Sequence, residues 1–78
     1  MLTLSLQKGF PHSQYAINMK NKEVFLKIYA NLPLGVRKEI ILILDDQPIT
    51  WNAAFFEVKD DTRLGGIILK KLKNLGII

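Results

Sequence analysis

Few side chains in this sequence have the type and spacing that chemistry requires. His12 is the single histidine, it sits beside Pro11, and the chain has no cysteine. An imidazole with no thiol and no second imidazole lacks partners for a metal, and in that setting it reads as an exposed loop residue. Neither a catalytic triad nor a structural zinc site is expected. The adjacent carboxylates Asp45-Asp46 and Asp60-Asp61 are the raw material of a magnesium site or of acid/base work. Neighbouring side chains on a turn diverge, however, and Asp is common in turns and caps because it hydrogen-bonds its own backbone. Both pairs stand where a turn and a cap are needed, so a convergent metal site is not expected from either. Gly65-Gly66 follows a helix cap, where free amides could face an anion. The lysine and Ser/Thr that complete a phosphate loop do not follow. Two glycines in a helix cost about 1 kcal/mol each relative to alanine, and close packing against another element is the favoured compensation. No catalytic residue, cofactor or metal follows from this inventory.

Charge offers a different chemistry. The chain has 78 residues and a formal charge of +4, but the signs are sorted. Residues 1–38 carry a net of +5, residues 39–61 a net of −5, and residues 62–78 a net of +4. Arg63, Lys70 and Lys73 on the last segment are candidate contacts for an anion or a nucleic acid. The aromatics do not alternate with lysines as a base-stacking surface does, and no RNA-binding signature is present. Acids at Asp60-Asp61 stand where a phosphate-facing turn would avoid them.

The elements that position these residues follow from periodicity. Asn21 reads as an N-cap, with Glu23 and Lys27 as an i,i+4 pair and Val24, Phe25, Ile28, Tyr29 and Leu32 on one helical arc that Pro33 and Gly35 terminate. The run Ile40–Leu44 is apolar on both faces, which predicts a central strand over about 39–45, with a short return at Pro48, Ile49 and Thr50. Thr50 then caps a second helix through Trp51, Ala54, Phe55 and Val58, leaving Phe56 off the stripe. Asp60, Asp61 and Thr62 break that helix and cap a third, whose apolar face is read as Leu64, Ile68, Leu72 and Leu75. Gly76 is a left-handed C-cap that lets Ile77 fold back on Leu72.

These elements make an α+β fold: a small single domain of three helices packed on a short sheet built around one central strand. Residues 1–18 form either a weakly structured segment or an edge strand carried by Leu2, Leu4 and Leu6, and residues 19–78 form the domain. No run approaches the roughly 18 apolar residues that span a bilayer, and the first residues do not read as a signal peptide. The reading is a cytoplasmic, non-enzymatic accessory protein that binds another protein or itself, with no membrane partner. Its candidate surface is Phe56, Leu26 and Leu69, which fall outside the predicted stripes. The alternative is a nucleic-acid-associated regulator using the basic face of the C-terminal helix. For self-association, a symmetric dimer pairs the strand edge or packs Phe56 against its mate; the competing account is a monomer in which the N-terminal strand pairs in and Phe56 lies beneath the first helix.

Overall fold

A computed structural model describes residues 14–78, and the side chains from residue 19 onward. His12 and the alternation at residues 2–6 lie outside the described residues. The order is helix α1 (Gln14–Ala30), a 3-10 turn (Val36–Lys38), strands β1 (Ile40–Leu44) and β2 (Gln47–Thr50), then helices α2 (Trp51–Lys59) and α3 (Arg63–Asn74). This is the expected α+β fold of three helices and a two-strand antiparallel hairpin. The start of α1 differs from expectation. Asn21 does not cap it but lies within it, buried among packed side chains. Nor do Glu23 and Lys27 pair; the ion pairs among the described residues are Lys22–Asp61 and Lys59–Asp60. Phe25 is the fully buried centre of α1, with Leu26 and Tyr29 packed beside it, whereas Val24 is exposed.

The hairpin closes in two residues, because Leu44 pairs with Gln47. Asp45 and Asp46 both take positive φ, 48° and 67°, the geometry of a type I′ turn whose twist matches the strands it joins. Ile40 pairs with Thr50 but Leu42 with Ile49, so Ile41 is an inserted bulge residue. The bulge rephases the strand. Ile41, Leu42 and Leu44 all pack on the core, while Ile40 and Ile43 face outward. A central strand buried on both faces is therefore not what forms: among the described residues β1 has one neighbour, β2.

The sequence over α2 and α3 folds by local rules. The Thr50 hydroxyl accepts from the Ala53 amide at 3.0 Å, and that of Thr62 accepts from the Gly65 amide at 2.9 Å, so both helices are capped as predicted. Each helix also ends in a Schellman motif. At the end of α3, Gly76 at φ 77° donates to the Lys73 carbonyl and Ile77 to that of Leu72. At the end of α2, Asp61 at φ 55° donates to Val58 and Thr62 to Glu57. Thr62 thus ends one helix and starts the next, its hydroxyl also meeting the Glu57 carboxylate at 2.5 Å. A methyl at Gly65 would stand 2.7 Å from the Glu57 carbonyl carbon and 3.0 Å from the Val58 nitrogen. Close approach of α2 is what the glycine permits. It also turns the buried face of α3 to Gly65, Ile68, Leu69 and Leu72. Leu64 and Leu75, expected inside, are exposed as a result.

Gly65→Ala is expected to destabilise by about 1–3 kcal/mol, because the added methyl meets backbone that cannot step aside, despite alanine's better helix propensity. Thr62→Ala removes a cap and is expected to cost about 0.5–2 kcal/mol. Urea unfolding of the two variants against the parent chain measures both, and a Gly65→Ala protein more stable than the parent would refute the close contact.

Candidate interaction surface

The surface is organised by an aromatic cluster that joins α1 to α2. Phe25 and Trp51 lie with ring centroids 5.6 Å apart, and Tyr29 and Phe55 stack at 4.2 Å with planes 7° apart. The Arg37 guanidinium lies 4.3 Å over the Tyr29 ring. A ring already stacked on one face can take a cation this close only on the other, so Tyr29 is sandwiched. Its hydroxyl donates to Asn52 Oδ1 at 2.6 Å, and Arg37 donates to the Ala30 carbonyl at the end of α1. With Phe55 so engaged, Phe56 is left 59% exposed, its ring edge-on to Phe55 at 5.5 Å. Phe56 does not lie beneath α1.

The three residues read as one surface are not brought together as an exposed patch. Phe56 is exposed, Leu26 is half-buried against the core, and Leu69 is buried in it. Leu26 and Leu69 instead line an open groove of about 530 Å³ between α1 and the start of α3, with Met19, Val58 and the Gly65-Gly66 pair. Its polar rim is already engaged. Lys22 Nζ meets Asp61 Oδ1 at 2.8 Å and donates to the Lys59 carbonyl at 3.4 Å, covering the end of α2. The Gly65 amide serves the Thr62 hydroxyl and the Gly66 amide the Thr62 carbonyl. The two amides that would hold an anion there are both used in starting α3.

The remaining candidates separate cleanly. Asp45 and Asp46 are exposed at the hairpin tip, and Asp60 and Asp61 are exposed between α2 and α3. Among the described residues no three acidic or imidazole side chains converge for a metal. Arg63, Lys70 and Lys73 are exposed on the outer side of α3, joined by Lys71. No helix among the described residues is long and apolar enough to cross a membrane. Exposed aliphatics are what the sequence reading missed. Ile40 and Ile43 stand out from the hairpin, and Leu64, Ile67 and Leu75 from α3; only the bulge and the turned face of α3 reveal them. Comparison with protein-family models, with curated proteins and with solved structures found no significant match to this chain.

Asp61 occupies a left-handed position where glycine is the usual residue, and its compensation is the pair with Lys22, whose partners are 26% and 73% exposed. So open a pair contributes about 0–1 kcal/mol, whereas the left-handed backbone costs an L-residue of about that size or more. Asp61→Gly is therefore expected to leave stability unchanged or raise it by up to about 1 kcal/mol. Thermal unfolding at two salt concentrations checks this, and a loss greater than about 1 kcal/mol would show the pair to dominate.

Proposed function

We propose that this chain is a cytoplasmic, non-enzymatic accessory protein that works as a protein–protein interaction module. The observation that supports the reading is the number of large apolar side chains held outward by well-made local structure: Phe56, Ile40, Ile43, Ile67 and Leu75. In a small domain that needs every apolar contact for its own core, apolar groups kept in water on capped helices and a closed hairpin suit a partner's surface better than the domain's own stability. A nucleic-acid-associated regulator is the second reading. It draws on Arg63, Lys70 and Lys73, which share an exposed face with no acid on the helix. Ile67, exposed beside those cations, suits protein better than phosphate.

The test is affinity capture of the tagged full chain from its native lysate, with and without nuclease, alongside Phe56→Asp and Ile43→Asp variants. Both sites are exposed, so both variants are expected to fold, with a loss of about 1–2 kcal/mol from the Phe55 ring contact or from strand propensity. Partners that survive nuclease and are lost with either variant are the expected result. Loss of every partner to nuclease would overturn it in favour of the second reading.

A further inference from the structure

Two of the exposed apolar faces carry opposite charge. On the outer face of the hairpin, Ile40 is 57% and Ile43 63% exposed, with Pro48 exposed across the ladder from Ile43. Glu39, Asp45 and Asp46 border this face and are all exposed; Lys38 is the one adjoining cation. On the outer face of α3, Leu64, Ile67 and Leu75 are exposed. Arg63, Lys70, Lys71 and Lys73 stand among them, and the helix contains no acid. The hairpin face is aliphatic at its centre and acidic at its border. On α3, Arg63 and Lys70 stand opposite the buried arc with Ile67 beside them, and Leu64 and Leu75 lie along one margin. Each face therefore has the sign the other lacks.

The two faces cannot meet within one chain. Leu42 and Leu44 turn the inner side of the hairpin to the same core that Ile68 and Leu72 of α3 enter, so both outer faces point away from it. Nor does either suit its own copy, since two α3 faces would set four cations against four, and two hairpin tips would set carboxylates together. The hairpin edge is a poor template as well, because β1 is bulged at Ile41 and β2 contains a proline.

Resting on the reading above, we infer that the occupant of these faces is a second copy of the chain, with the acidic hairpin face of one copy seated on the basic outer face of α3 of the other. The contact is heterologous, and because the two faces point away from a shared core it repeats from copy to copy, head to tail. This differs from a dimer made by strand pairing or by Phe56 against its mate, and it leaves Phe56 free.

Sedimentation equilibrium of the full chain at low and high salt, over the widest soluble concentration range, tests it. A mass of at least twice 8.9 kDa at high protein concentration, falling toward one copy as salt rises, is expected. Two charge-altered chains then locate the contact: Glu39→Lys with Pro48→Lys on the hairpin, Pro48 lying across from Ile43 on the outer face, and Lys70→Glu with Lys71→Glu on α3. Each alone should weaken self-association by about tenfold or more, and an equimolar mixture should regain it. Should the hairpin variant fail to fold by circular dichroism, Asp45→Asn with Asp46→Gly suits the type I′ turn and removes charge from the same face. A chain that stays at one copy at every concentration, or a mixture that regains nothing, overturns the inference. A single-copy chain that still captures nuclease-resistant partners leaves the broader reading standing. One that binds anionic vesicles or nucleic acid through α3, and loses all protein partners to nuclease, overturns both.

Discussion

The rest of the molecule depends on how closely α2 and α3 approach at Gly65. The position has no side chain, and the Glu57 carbonyl and Val58 amide of α2 occupy the space a methyl would need. Several features follow from that one contact. The buried arc of α3 centres on Gly65, Ile68, Leu69 and Leu72, and Val58 becomes almost fully enclosed beneath it. Leu64 and Ile67 swing outward among the basic residues. The charge and apolar pattern of the outer surface is therefore set by an internal packing constraint.

A second constraint joins α1 to this pair. The sandwich of Arg37, Tyr29 and Phe55 uses a cation, a phenol and a phenyl ring in sequence, and the phenol is fixed in rotation by Asn52. Ring stacking of this kind adds about 0.5–1.5 kcal/mol beyond burial, useful in a chain whose core has seven buried apolar side chains among the described residues. Because Phe55 is committed inward, its neighbour Phe56, 100° further round the helix, is committed outward. Interior and exterior are thus coupled residue by residue: each choice made to close the core decides what the surface displays.

Features that depend on a few consecutive residues were legible in the sequence. Thr50 and Thr62 cap their helices, Gly76 ends α3, and Ile40–Leu44 is a strand, because each rests on hydrogen bonds or sterics spanning at most a turn. At Gly65 close packing is the compensation expected from the sequence, since an unexplained helix-propensity cost signals a close neighbour. What escaped was set by contacts between elements. An apolar run of five says nothing of the bulge at Ile41, so the strand read as buried on both faces when two of its side chains face out. Asn21 has the chemistry of a cap, but α1 continues through it and buries it. Leu69 lies outside a face drawn through Leu64 and Leu75, and the close approach at Gly65 turns it inward. Of the site, the cations of α3 were identified in the sequence, whereas the aliphatics among them became evident only from the packing.

The turn between α2 and α3 has a kinetic consequence. Its Schellman pair, its threonine cap and the contact at Gly65 join residues at most eight positions apart. Almost no loop entropy opposes their formation, so this helical pair can assemble on the timescale of helix formation itself. The α1 contacts are costlier to reach. Tyr29 and Asn52 are separated by 23 positions, and Lys22 and Asp61 by 39. The order of events that topology favours is a two-helix nucleus over residues 50–77, onto which α1 docks with its aromatic ladder.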